Sequence, residues 1–147
     1  MKRLLVGVGI FLALVIVLGI GKPFSRAMHG AKASQDIDMD KALAYVANRM
    51  NSHLPMMIDK ETRLDSTSGG SGPNFYYLMT LPSFNSSEID PQEIHALAPQ
   101  TKAAICSLAE MRPVFEMGVT VHNVYRGNDG KEITRVSISP ADCGISP

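Results

Sequence analysis

"MMIDKETRLDSTSGGSGPNFYYLMTL", Met56 to Leu81, decides how this chain folds. Thr62 to Ser68 is β-branched and alternating, Gly69-Gly70-Ser71-Gly72-Pro73 is turn chemistry, and Asn74 to Leu81 concentrates aromatic and apolar side chains. Two strands joined by a turn follow, so the segment reads as a β-hairpin. Asp59 suits an Asx turn that starts the first strand. Arg63 and Asp65, two apart, share a face and can pair with each other or across the hairpin. In the second strand Phe75, Tyr77, Met79 and Leu81 lie on one face and Tyr76 and Leu78 on the other, so neither face reads as solvated. A central strand accounts for that pattern, and so does an outer face that binds something. Arg63, Asp65, Tyr76 and Leu78 are accordingly the candidate partner-binding residues. The glycine-rich turn is not read as a phosphate cradle, because it lacks a G-K-[ST] ending and precedes a strand instead of opening a helix.

Upstream of the hairpin, Met39, Leu43, Val46, Ala47, Met50 and Leu54 recur at spacings of three and four, which predicts an amphipathic helix over about Met39 to His53. Asp36 or Asp38 can cap its start and Pro55 ends it. The acidic run Asp36 to Asp40 begins like a calcium loop. Lys41 stands where that loop needs glycine and Ala47 where it needs glutamate, so capping and the helix dipole explain the acids better. Downstream, Asp90-Pro91-Gln92-Glu93 supplies an N-cap, a proline at the first helical position and a glutamate at the third. The helix it opens carries Ile94, Leu97, Ala104, Ile105 and Leu108, with Pro99 expected to interrupt it. A short helical piece from Met111 to Met117 is stopped by Gly118. Val119 to Arg126 then reads as a strand, Gly127-Asn128-Asp129-Gly130 as a hairpin turn, and Lys131 to Ser139 as the last strand.

The order is therefore α-β-β-α-β-β: an α+β domain with a four-stranded, mainly antiparallel sheet and helices on one face. The helical crossover leaves open which of the first two strands the third one joins.

Before this domain, residues 1–30 read as an anchor and tether. An unbroken apolar run from Leu4 to Gly21 follows Lys2 and Arg3, and its helical length of roughly 26 Å nearly crosses a hydrocarbon core of roughly 30 Å. A cleavable signal peptide would have a shorter apolar region closed by a small-x-small site, and none follows at once. One uncleaved transmembrane helix is the expectation, with a cleaved signal and a secreted or periplasmic product as the alternative. A type IV pilin leader would need a glycine before the run and an acid early within it, and both are missing.

Cys106 and Cys143 form no C-x-x-C pair and no zinc set, so they are expected to form a disulfide. An oxidising compartment follows. The chain is then expected to be a single-pass membrane protein, held by residues 4–21, with residues 31–147 outside the cytoplasm; the positive-inside rule agrees only weakly. Of fourteen basic and fourteen acidic residues, Lys2, Arg3, Lys22 and Arg26 precede residue 31 and no acid does, which leaves the domain with ten against fourteen. Its basic residues are spread singly, so nucleic acid is not an expected partner.

The spacing of "LPMMIDKETRLDSTSGGSGPNFYYLMTL", a later cysteine, "EMRPVFEMGVTVHNVYRGNDGKEI" and the final "DCG" resembles small uncharacterised bacterial exported proteins with the same hairpin and terminal cysteine, over about Leu54 to Gly144. The resemblance implies a bacterial envelope protein, so that the expected anchor, residues 4–21, lies in the inner membrane and the domain, residues 31–147, in the periplasm; it carries no activity. A more distant analogy is to secretion-system pilotins, which are small α+β envelope lipoproteins with a disulfide; in this chain no cysteine follows the apolar run.

Catalytic grammar is thin. His29, His53, His95 and His122 show no metal-ligand spacing, no serine lies in G-x-S-x-G, and Asp59, Glu61 and Asp65 have Lys60 and Arg63 beside them to pair with. No metal or cofactor is implied. Three functions stay open on sequence: a non-enzymatic envelope factor that binds a protein partner in assembly or secretion, a small periplasmic hydrolase whose site forms only in the fold, and a ligand-binding domain. The first is the expectation.

Overall fold

The computed structural model describes residues 38–146. The anchor over residues 4–21, the tether, the weighing of Asp36 as a cap and His29 all lie outside these residues. No helix among the described residues is long and apolar enough to cross a membrane.

Helix α1 (Met39–Asn51) begins at Asp38, whose carboxylate accepts the Lys41 N–H at 3.4 Å and pairs with the Lys41 ammonium at 2.9 Å. Both contacts hold Asp38 below the usual carboxylate range, the side-chain contact first. The helix stops short of His53. Asn51 at its end reaches sideways to the sheet, and the Ser52 hydroxyl donates to the Arg49 carbonyl at 2.7 Å.

Five strands follow instead of four: β1 (Met56–Met57), β2 (Arg63–Gly69), β3 (Asn74–Leu81), β4 (Thr120–Gly127) and β5 (Glu132–Ile138). They lie in the order in which they occur along the chain. The unexpected strand, β1, pairs two residues with Arg63 and Leu64. Two residues are too few to show an alternating pattern, which is why the sequence hides it. The expected hairpin is β2–β3. Asp59 begins it as an Asx turn, accepting the N–H groups of Glu61 at 2.7 Å and Thr62 at 2.6 Å. The sheet is mixed: three pairings are antiparallel and β3–β4 is parallel. A parallel pair needs a long crossover. Helices α2 (Pro91–Cys106) and α3 (Arg112–Glu116) supply it and bring β4 beside β3, which makes β3 the central strand.

Pro99 does not interrupt α2, which continues to Cys106. The proline is exposed, so the hydrogen bond it forfeits lies on the solvent side of the helix. Gly118, at φ +82°, ends the second crossover helix in a conformation that other residues rarely adopt.

Both long helices cover one face of the sheet. From β2, the Thr67 hydroxyl, in register with Tyr77, donates to the Ala47 carbonyl of α1 at 3.4 Å. From β5, Thr134, in register with Tyr125, bonds His95 of α2 at 2.7 Å. Tyr77 and Tyr125 point to the same side. The core forms there, from Leu43, Val46 and Met50 of α1, Ile94 and Ile105 of α2, Phe115 of α3, and Phe75, Met79, Leu81, Val121 and Ile138 of the sheet. Packing is close enough that a Cβ on Gly69 would come within 2.9 Å of the Leu43 Cβ.

Cys106 and Cys143 form the expected disulfide, with Cα atoms 5.1 Å apart. It ties the end of α2 to a 3₁₀ turn (Pro140–Cys143) that follows β5. Beside it Lys102 pairs with Asp142 at 2.8 Å, and that contact, with help from Ser139, lowers the Asp142 carboxyl to about 2.

Candidate functional site

With the helices on one side, the other side of the sheet displays its alternate residues. Registers place them in three rows across β2, β3, β4 and β5: Ser68, Tyr76, His122 and Ser137; then Ser66, Leu78, Val124 and Arg135; then Arg63, Thr80, Arg126 and Glu132. A bulge sets the last row. The β2–β3 register slips between Leu64 and Ser66, which puts Asp65 beside Arg63. Asp65 accepts from the Arg63 guanidinium with one oxygen and from the Thr80 hydroxyl with the other.

The first row is tied across three strands. Tyr76 stacks on His122 with ring centroids 4.6 Å apart, and the Arg135 guanidinium lies 5.6 Å from the Tyr76 ring centre. His122 bonds Asn74 through Nε2 at 2.9 Å and Ser137 through Nδ1 at 2.8 Å. The tautomer follows from Asn74. Its Nδ2 donates to the Ser71 carbonyl at 2.8 Å, so Oδ1 is the atom facing His122. Nε2 therefore carries the proton, and Nδ1 accepts from the Ser137 hydroxyl. Burial, then the Arg135 charge, lowers the His122 pKa and favours this neutral form.

Serine, histidine and amide in a row have the elements of a nucleophile, a base and an orienting group. The backbone argues otherwise. Ser137 sits within the regular β4–β5 ladder opposite His122, not on the tight turn that frees backbone N–H groups for an oxyanion. His95 and His53 bond Thr134 and Ser52, and among the described residues no three His, Cys, Asp or Glu side chains are grouped to hold a metal ion.

Charge is unevenly matched along the third row. Arg63 has Asp65, and Glu132 pairs with Arg135 of the adjoining row at 3.2 Å. Arg126, in register with Thr80, has neither an ion pair nor a hydrogen bond from its side chain among the described residues, and its Nε is shut off from solvent.

All four residues singled out in the sequence, Arg63, Asp65, Tyr76 and Leu78, thus come to one face, and Tyr76 and Leu78 are half-buried there. The expected Arg63–Asp65 pair forms. Expected pairing of Asp59 and Glu61 with neighbouring cations does not: Asp59 serves the turn, and Asp59 Oδ2 and Glu61 Oε2 are buried without a hydrogen-bond partner among the described residues. Asn74, His122, Arg126, Arg135 and Ser137 were not legible as part of the site. Alternation in β4 puts His122, Val124 and Arg126 on one side, but only the strand order shows that this side continues Tyr76 and Leu78.

The described residues form a two-layer α+β domain: a five-stranded mixed sheet, helices on one face, no described helix on the other, where Thr80 and Val124 are nonetheless buried, and a disulfide closing the C-terminal end. Solved structures share this fold. A Pseudomonas aeruginosa chain classed as a secreted protein is similar at a TM-score of 0.63 and 14% identity, over 76% of this chain and 98% of that one. The pilotin EpsS of the Vibrio vulnificus type 2 secretion system is similar at a TM-score of 0.57 and 18% identity, over 75% and 94%. The type II secretion pilotin AspS of Vibrio cholerae follows at 0.54 and 10%, over 72% and 93%. No protein-family model and no curated protein sequence matches the chain.

Proposed function

We propose that this chain is a non-enzymatic factor of the bacterial envelope that holds a protein partner during assembly of a secretion or related envelope complex. Residues 4–21 anchor it in the inner membrane, and the domain works in the periplasm. The observation that carries this reading is the arrangement of the sheet: helices occupy one face, while Arg63, Asp65, Tyr76 and Leu78 stand together on the other. The disulfide supports an oxidising compartment. Two of the similar folds belong to pilotins of type II secretion, which supports an assembly role in place of catalysis.

The test is a photo-crosslinking residue placed at Leu78, on the open face, or at Tyr45, which is 53% exposed on α1. In cells producing the full chain, Leu78 should give a discrete protein adduct and Tyr45 none. Equal labelling from both positions would defeat the reading. A reporter fused after Pro147 should be active only in the exported compartment, and the chain should stay with membranes after a carbonate wash.

A further inference from the structure

Among the described residues, Arg126 is the charged side chain of the open face's third row that has no ion pair or hydrogen bond. It stands on β4 in register with Thr80, one row from Leu78 and Val124, and the carboxylates of that face are engaged elsewhere: Asp65 by Arg63 and Thr80, Glu132 by Arg135. Half of the Arg126 surface or more is out of solvent, its Nε wholly so, and no acceptor among the described residues meets it. The protein itself covers Nε, so the guanidinium is part-desolvated with no hydrogen bond in return, and a partner can meet it only through its terminal nitrogens.

The geometry points to a partner segment that carries one carboxylate beside an apolar side chain, with the carboxylate taken by Arg126 and the apolar group laid on half-buried Leu78, Val124 beneath being buried. This rests on the open face being the docking face, and adds which residue anchors the partner and what chemistry it reads. The two terminal nitrogens of a planar guanidinium donate two parallel hydrogen bonds to one carboxylate, which fixes register as well as sign. Successive same-face rows along a strand lie roughly 7 Å apart, from about 3.3 Å per residue, so residues two apart on an extended segment reach both subsites. Asp65 and Glu132 flank the row and disfavour a polyacidic stretch, which selects a single acid. An anionic membrane surface fits less well. One unpaired cation adds only about 1 kcal/mol of attraction to such a surface, and these two acids would face it.

The probe is an immobilised set of extended ten-residue peptides in which a central glutamate or glutamine is flanked at two residues' distance by leucine or phenylalanine. The full chain in detergent should retain glutamate peptides about tenfold better than their glutamine counterparts, the gain of one charge-assisted pair. Arg126→Gln should erase the preference, and Arg126→Lys should restore part of it, with unchanged circular dichroism in both. A wild-type chain that does not discriminate, or an Arg126→Gln chain that still does, overturns the inference. So does Arg126-dependent binding to phosphatidylglycerol vesicles without glutamate preference. The Leu78 photo-adduct separates the two readings: an adduct equally strong in Arg126→Gln sinks the anchor and keeps the docking face, while no adduct in either chain sinks both.

Discussion

The side-chain amide of Asn51 bonds both backbone groups of Thr67: its Nδ2 donates to the Thr67 carbonyl at 2.9 Å, and its Oδ1 accepts the Thr67 N–H at 2.7 Å. Thr67 lies beyond the reach of the two-residue strand β1, so the end of α1 stands where a neighbouring strand would stand. An open strand edge invites pairing with other chains. Asn51→Ala should therefore lower stability by about 1–3 kcal/mol, the cost of leaving such groups unmade, and should increase self-association. Urea unfolding reads the first effect and light scattering the second. A variant as stable and as monodisperse as the parent would contradict this role.

Cys106 and Cys143 close a stretch with a sequence separation of 37 residues. Cys106→Ser and Cys143→Ser remove the same bond and should have matching melting temperatures, with a loss of about 2–5 kcal/mol. Gels after alkylation should show a reduction-dependent shift in the parent only. Ready alkylation of both thiols in the native protein would also weaken the argument for an oxidising compartment.

Two proton-linked groups should shape stability at different pH. His122 has its pKa lowered in the fold by burial and by Arg135, so as pH falls through the ordinary value of 6.5 the unfolded chain takes up the proton first. Its contribution is complete above that value and declines below it. Asp142 is held at about 2 by Lys102 and Ser139 against an ordinary value of 3.8, so its contribution is complete above 3.8 and is lost as pH falls toward 2. Melting temperature against pH should show both declines. His122→Asn should flatten the upper one and Lys102→Met the lower. An unaltered profile in either variant would remove that group from the account.

Local chemistry made the elements legible. Asp38 and Asp90 cap the helices they were expected to cap, Asp59 makes its turn, and Asn74 to Leu81 forms a strand with the expected bounds. What stayed hidden depends on contacts between distant residues. β1 exists only because Arg63 and Leu64 offer an edge, and Pro99 is tolerated because of where the sheet places the rest of its helix. The open face was half visible. Tyr76 and Leu78 announced a second apolar side on β3, but His122 and Arg126 joined it only through the parallel β3–β4 pairing, which alternation within one strand cannot reveal.

That distinction between the two sides of β3 gives the sharpest test of scaffold against surface. Met79 is fully buried among the helices, and Met79→Ala should cost about 2–5 kcal/mol, as large-to-small core changes do. Leu78, one residue earlier, points to the open face and is half-buried, so Leu78→Ala should cost about 1 kcal/mol, in proportion to the smaller area it removes from contact. Tyr76 lies between these limits because its ring also stacks on His122 and meets Arg135. If the open face holds a partner, Leu78→Ala should weaken association in membranes while the protein stays folded, since it removes apolar surface that the partner would bury. Arg63→Ala supplies the control, because a partly exposed pair with Asp65 contributes about 0–1 kcal/mol to folding. Equal destabilisation by Leu78→Ala and Met79→Ala would mean that β3 is scaffold on both sides.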